Sequence, residues 1–148
     1  MRLIQSLNNF LNTNKAVGIL LLRIFIGTRL LYGVLDNVLS WERMIEFSEF
    51  LQINQFPVPI ISAVTSVYIQ FIGGLFILLG FRIRVASFLL TINFLIALMA
   101  VHIPSNDTVE GMTPALAMLF GCLTLLFTGG EKYSLEEYLE KSKREEDN

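Results

Sequence analysis

Four long apolar segments, separated by short polar stretches, dominate the chain. A transmembrane α-helix needs about 20 consecutive, predominantly apolar residues. The pattern therefore predicts four membrane-spanning helices, at about residues 16–35, 58–79, 85–103 and 112–128. The short link from Gly80 to Arg84 predicts a tight hairpin, which makes the second and third helices antiparallel neighbours. We expect an all-α fold, a four-helix transmembrane bundle, with residues 1–142 forming a single membrane domain.

Shorter segments outside these spans carry amphipathic helical patterns. Residues 3–11 repeat Leu, Ile and Phe at helical spacing, which is typical of a helix on a membrane surface. Residues 41–52 begin with Trp41 and place three Glu on one face, so we expect a short interfacial helix between the first two spans. Ser134 and Glu137 form a capping box before a short charged helix. We expect a disordered charged tail at residues 143–148.

The distribution of positive charge predicts the orientation. Lys and Arg in short flanking segments mark the cytoplasmic side of a membrane protein. Eight of them lie in the N-terminal arm, the 80–84 hairpin and the C-terminal tail, whereas Arg43 alone lies in the other two loops. We therefore expect both termini in the cytoplasm, and a multi-pass protein of a bacterial inner membrane.

Composition excludes several classes of function. Hydrophobic residues make up 53% of the chain and charged residues 16%, against about 25% charged in soluble domains. The single His and single Cys exclude a bis-His haem, a His-rich metal site and an intrachain disulfide. A net charge of −2 gives no reason to expect nucleic-acid binding. We expect the lipid bilayer as a partner, no metal and no built-in cofactor.

Two arginines inside the first apolar segment carry most of the functional information. Arg23 and Arg29 are costly in hydrocarbon, so both should face the bundle interior or a water-filled cavity. Asp36 lies within about 20° of Arg29 on the helical wheel and about 10 Å further along the axis, so a water-bridged pair is expected. Arg23 points roughly 120° away from Arg29 and needs another partner.

Neutral polar residues in the other spans suggest that partner. Gln70 and Asn93 fall near the middle of the second and third segments, so we expect a central polar layer with Arg23. An outer layer would combine Arg29 and Asp36 with polar residues of those spans. Two cations without an acid in any apolar core favour an anionic or electron-rich ligand. The candidate ligand-binding residues are Arg23, Arg29, Asp36, Tyr68, Gln70, Asn93 and His102. The alternative is structural: the arginines snorkel or tie helices together, and the amides and His102 serve packing.

Several short motifs, taken in order, resemble a known family. They stand at Leu22–Gly27, Tyr32-Gly33, Asp36-Asn37, Gln70–Gly74, Leu79–Arg84 and Phe127–Leu135. Their order and spacing are similar to the DoxX-like family of small four-helix membrane proteins, over about residues 16–140. The resemblance implies a membrane component of a quinone- or thiosulfate-linked redox system. It makes a quinone the expected ligand and a redox subunit the expected partner.

Two other functions stay open at this point. The chain is equally compatible with a small transporter or a lipid- or anion-binding protein, whose pocket lies between the helices. It is also compatible with a non-catalytic membrane scaffold for a partner subunit. No residue is assigned as catalytic, and the sequence decides neither for nor against an enzyme.

Overall fold

The computed structural model describes residues 1–146, and these residues fold into helices without a strand. Seven α-helices follow one another along the chain. Their bounds are α1 Arg2–Thr13, α2 Lys15–Leu39, α3 Trp41–Ile53, α4 Pro59–Leu79, α5 Ile83–Ala97, α6 Val109–Thr128 and α7 Leu135–Glu146. A π-helical turn, Leu98–His102, continues α5, and a 3₁₀ turn, Glu131–Tyr133, precedes α7.

The four predicted spans are confirmed as helices long and apolar enough to cross a membrane: α2, α4, α5 with its π-helical turn, and α6. Several boundaries differ from the prediction, and the first span runs four residues further than expected, to Leu39. The third span changes to π-helical geometry after Ala97, and the fourth begins at Val109, three residues early. Thr108 explains the earlier start, because its Oγ1 accepts a hydrogen bond from the Gly111 backbone N–H at 3.1 Å and caps the helix.

The spans pack around one core in the order α2, α4, α5, α6, and α6 returns to contact α2. The tightest crossing is between α2 and α4, where Gly27 meets Gly74. A Cβ on Gly27 would lie 2.9 Å from the Gly74 carbonyl oxygen. Two glycines therefore let these backbones approach as closely as they do. The core below and beside this crossing is aliphatic, with Ile26, Leu30, Ile77, Leu90, Leu119 and Leu125 almost fully buried.

A second core lies at the opposite end of the bundle from the 80–84 hairpin, beneath α3. Met44 and Leu51 of α3 are buried against Val34 of α2 and against Ala63 and Val67 of α4. The helix predicted at residues 41–52 is thus confirmed at Trp41–Ile53. By contrast, no residue of α1 is buried, and its apolar face is open along its whole length.

The C-terminal segment is more ordered than we expected. The N-cap half of the predicted capping box is confirmed, because the Glu137 backbone N–H donates to Ser134 Oγ at 3.2 Å, whereas the Glu137 carboxylate pairs with Lys141. The helix then continues through Glu146, whereas we expected a disordered tail from residue 143, and residues 147–148 lie outside the described residues. Ion pairs one turn apart explain the continuation: Glu137 with Lys141 at 3.4 Å, and Glu140 with Arg144 at 3.6 Å.

Candidate ligand-binding site

Arg23 lies in a fully enclosed position and donates four hydrogen bonds, all to backbone carbonyls. Its side chain is 1% exposed. Nε donates to the Ile77 carbonyl at 3.1 Å and Nη2 to the Leu78 carbonyl at 3.3 Å. Nη1 donates to the Gly130 carbonyl at 3.1 Å and to the Tyr133 carbonyl at 2.6 Å. We call Arg23 and these four carbonyls the Arg23 cluster.

The cluster exists because a helix end leaves carbonyls without partners. The last four carbonyls of an α-helix have no intrahelical donor. At the end of α4, Gly80 adopts φ +77°, and the Gly80 and Phe81 backbone N–H groups bond back to the Phe76 carbonyl at 2.9 Å each. Arg23 supplies donors for the Ile77 and Leu78 carbonyls and a positive charge at the negative end of the helix dipole.

The Arg23 cluster also shows which ends of the helices lie together. One side chain on α2 reaches the end of α4 and the segment that follows α6. The Glu136 backbone N–H adds a hydrogen bond to the Gly80 carbonyl at 3.1 Å. The N-terminal half of α2, the 80–84 hairpin and the C-terminal segment therefore share one end of the bundle.

The expected central layer of Arg23, Gln70 and Asn93 does not form. Arg23 bonds backbone carbonyls at the end of the bundle, because a helical side chain leans toward the N-terminus of its helix and the guanidinium reaches that end. The Gln70 amide donates instead to Ser66 Oγ, one turn earlier on α4, at 3.2 Å. Asn93 lines a different cavity from the one that Arg29 lines.

Arg29 differs from Arg23 in both exposure and hydrogen bonding. Its side chain is accessible, and within residues 1–146 it makes no hydrogen bond or ion pair. The guanidinium lies along its own helix, where a Cβ on Gly33 would be 2.9 Å from Nη1. Within residues 1–146 no direct hydrogen bond or ion pair joins Arg29 to Asp36, whose carboxylate accepts the Asn37 backbone N–H at 2.9 Å.

A cavity of about 340 Å³ surrounds this free guanidinium, and all four spans contribute to its walls. We call it the Arg29 cavity. Its polar side chains are those of Arg29, Gln70 and His102, one from each of the first three spans. The remaining lining is apolar or small, with Phe25, Leu30, Phe94, Met118, Pro114 and neighbouring small residues of α6. Three of the seven predicted residues are thus brought together.

His102 occupies a special position at the end of the π-helical turn. Its Nδ1 lies 2.7 Å from the Asp107 carboxylate, so Nε2 is the ring nitrogen left for other partners. Single π-helical turns inside α-helices are frequent at functional sites. Asp107 was not among the predicted residues. The available signal was an acid five residues beyond the one histidine, in the loop of the same end.

Asp36 and Tyr68 lie outside the Arg29 cavity. Asp36 is at the α3 end of α2, where its charge acts on Arg43. The pKa of Arg43 is raised, first by the hydrogen bond and charge of Glu46 and then by the charges of Asp36 and Glu42. Tyr68 lines a separate apolar cavity of about 290 Å³ between α4 and α5. The outer layer is therefore reduced to Arg29 and His102, with Gln70 added.

Comparison with known proteins identifies the family. The DoxX family model matches residues 18–103, more than half of the chain. The chain belongs to the DoxX family. No curated protein and no solved structure matches it. With four membrane-spanning helices, this DoxX protein is a multi-pass integral membrane protein.

The DoxX match covers some parts of the site and not others. It contains all seven residues predicted from the sequence, on α2, α4, α5 and the π-helical turn. It does not contain Asp107, the α6 wall of the Arg29 cavity, or the Gly130 and Tyr133 carbonyls that complete the Arg23 cluster. Among residues 1–146 no group of three His, Cys, Asp or Glu side chains is placed to hold a metal ion.

Proposed function

We propose that this DoxX protein binds a small electron-rich or anionic ligand in the Arg29 cavity, as a membrane component of a quinone-linked redox system. The observation that carries the proposal is the guanidinium of Arg29, which has no partner in the described residues and faces a cavity built by four spans. A cation in that position is costly, and a ligand oxygen would offset the cost. In this proposal a redox partner subunit exchanges electrons with the ligand.

The lining of the cavity fits a quinone ring. Ligand sites are concave, mainly apolar and furnished with a few polar groups, within about 300–1,000 Å³. The apolar side chains of Phe25, Phe94 and Met118 offer surfaces for a flat ring. Arg29 and the Gln70 amide supply donors for carbonyl oxygens, and Nε2 of His102 supplies a further polar contact.

Quinone titration of the purified protein tests this proposal. In nanodiscs, a short-chain quinone should bind the wild-type protein, and Arg29→Gln should weaken binding about 10- to 100-fold, since hydrogen bonds to charged groups contribute about 1.5–3 kcal/mol. Arg43→Gln is the matched control, because Arg43 is an exposed arginine paired with Glu46 outside the cavity. Absence of quinone binding to the wild-type protein, or equal binding by Arg29→Gln, would contradict the proposal.

One further observation favours an anion- or lipid-binding protein or small transporter as a second candidate. No carboxylate lines the Arg29 cavity among the described residues, and the nearest acid of this end, Asp107, is bonded to His102. The positive charge of Arg29 is thus uncompensated and suits an anion. If anionic lipid or an inorganic anion binds in an Arg29-dependent manner and quinone does not, this second function replaces the first.

We also propose that the end holding the Arg23 cluster faces the cytoplasm of a bacterial inner membrane. The segments that meet at this end carry Arg82, Arg84 and the basic residues of the N-terminal arm and C-terminal segment, whereas the α3 end carries Arg43. Such an asymmetry sets cytoplasmic orientation. A fluorescent protein fused after residue 148 should fold and fluoresce, whereas alkaline phosphatase at the same position should be inactive. The reverse pattern would overturn the orientation.

A further inference from the structure

A second cavity lies beneath α3 and shares lining residues with the Arg29 cavity. Its volume is about 430 Å³, and α3, α4 and α5 contribute most of its lining. Three aromatic rings, those of Phe47, Phe50 and Phe56, stand at its α3 side. Most of the remaining residues are aliphatic, five are polar (Ser62, Thr65, Ser66, Asn93 and His102), and no Asp, Glu, Lys or Arg of the described chain lines it. We call it the aromatic cavity.

The aromatic cavity and the Arg29 cavity share a boundary on the third span. Ala97 and His102 line both of them. Ala97 is the last residue of α5, and His102 is the last residue of the π-helical turn. Ala97 carries only a methyl group, so its side chain adds little volume between the two cavities.

A second boundary lies on α4. Ser66 lines the aromatic cavity, Gln70 lines the Arg29 cavity, and the Gln70 amide donates a hydrogen bond to Ser66 Oγ at 3.2 Å. On α4 a hydrogen bond therefore links a polar group of one cavity to a polar group of the other. On the third span the single residue His102 lines both cavities. The two cavities are neighbours along two different helices.

We propose that the two cavities are two parts of one site, which binds an amphiphile. Its ring or anionic head lies at Arg29, and its isoprenoid or alkyl chain passes Ala97 into the aromatic cavity. This inference rests on the proposed function, because it assigns the head to the Arg29 cavity. The aromatic cavity has no charged side chain and suits a hydrocarbon chain, whereas Arg29 gives the other cavity the charged group that suits the head.

Photo-crosslinking in nanodiscs tests this arrangement. The probe is a benzoquinone with a decyl chain that ends in a diazirine, and the labelled residues are identified by mass spectrometry. We expect labels on buried or half-buried residues of the aromatic cavity such as Leu51, Phe56 and Ile69, and we expect an excess of chain-free quinone to abolish them. The two-part site would be overturned if the labels instead spread over lipid-facing residues such as Ile24 and Leu95 and chain-free quinone did not displace them.

Substitutions at the shared boundary sharpen the test. Ala97→Phe fills the boundary and should abolish chain labelling in the aromatic cavity, while a probe with the diazirine on its ring still labels the Arg29 cavity. Ala100→Phe is the matched control, because Ala100 lies in the π-helical turn and lines neither cavity; it should keep the wild-type pattern. Unchanged chain labelling in Ala97→Phe would contradict the proposal.

A phospholipid carrying the same diazirine on an acyl chain separates the two sources of hydrocarbon. If it labels the aromatic cavity and chain-free quinone does not displace it, the cavity holds bilayer lipid independently of the head site, and the two-part site is wrong. If chain-free quinone fails to bind at all, the proposed function fails first. The wild-type labelling pattern decides the question even where a variant does not fold.

Discussion

Arg23 and Arg29 lie six residues apart on the same membrane-spanning helix and have opposite environments. Arg23 is 1% exposed and donates to four backbone carbonyls from two other parts of the chain. Arg29 faces a cavity, and its guanidinium has no hydrogen-bond partner in the described chain. Arg23 is hydrogen-bonded within the protein itself, whereas the N–H donors of Arg29 stay available to a ligand. The first is therefore structural, and the second is the candidate for binding a ligand.

The difference follows from what each side chain can reach. Arg23 stands level with the end of α4, where helix geometry leaves carbonyls unsatisfied. Arg29 stands deeper, where the carbonyls of neighbouring helices are already paired within those helices. An arginine near a helix end can therefore donate to the unpaired backbone carbonyls there. An arginine beside the middle of neighbouring helices finds no such carbonyls and needs a ligand or water as its partner.

The largest effect is expected from Arg23→Gln. The substitution leaves up to four buried carbonyls without a charged donor, and the loss should be at least about 2–3 kcal/mol. Thermal unfolding in detergent should show a clearly lower Tm than for the wild-type protein. Arg23→Lys keeps the charge but not the fork of donors, so its Tm should lie between those two. A wild-type Tm for Arg23→Gln would remove the structural role.

A smaller loss is expected from Gly80→Ala. Gly80 has φ +77°, and a Cβ there would collide with Nη2 of Arg23 and approach the Ser134 Cα to 2.8 Å. The left-handed backbone alone costs about 1–2 kcal/mol for a residue with a Cβ. The same unfolding assay checks this, with Gly18→Ala as control, because nothing lies within 4 Å of a Cβ at Gly18. Equal stabilities would show that the Arg23 cluster tolerates a shift of the guanidinium.

Asp107→Ala should weaken ligand binding in the Arg29 cavity. The Asp107 carboxylate orients His102, and a hydrogen bond contributes about 0.5–1.5 kcal/mol, so quinone affinity should fall about 2- to 10-fold. The measurement is the titration used for Arg29→Gln. Glu110→Ala is the control, since Glu110 is an exposed acid of the same end that lines neither cavity. If both variants bind alike, His102 needs no orienting partner.

The smallest effect is expected from Ser134→Ala. Ser134 Oγ caps α7 and donates to the Glu131 carbonyl at 2.8 Å, in the segment that supplies carbonyls to Arg23. Loss of such a cap costs about 1 kcal/mol. Hydrogen exchange should show faster exchange in α7 and unchanged protection in α2. If exchange is faster in α2 as well, the Arg23 cluster depends on the C-terminal segment, and the hydrogen bonds to Ile77 and Leu78 are not enough to hold it.

The sequence was a good guide to the helices and a poor guide to the contacts. Apolar length alone predicted the four spans, and the charge and cap patterns predicted α3 and the start of α7 correctly. The position of Arg23 was misjudged because depth arithmetic places a Cα, whereas the guanidinium ends several ångströms away toward the helix start. It bonded carbonyls, which every residue carries and no sequence pattern reveals.

The cavity was recovered in part for a similar reason. Arg29, Gln70 and His102 were predicted because polar residues stand out in apolar segments. Their common cavity depends on small residues of α6, Ala115 and Ala117, and on Pro114, which look like ordinary membrane-helix residues in the sequence. The π-helical turn that carries His102 contacts α6, and the sequence shows no break at Ala97 that would have predicted it.

The most direct test is the thermal unfolding of Arg23→Gln and Arg29→Gln, side by side in one detergent, with and without a short-chain quinone. We expect Arg23→Gln to have a much lower Tm that still rises when quinone is added. We expect Arg29→Gln to have the Tm of the wild-type protein, or a slightly higher one, and to show no rise with quinone. A destabilised Arg29→Gln protein that retains the quinone-dependent rise would contradict the assignment of the two arginines.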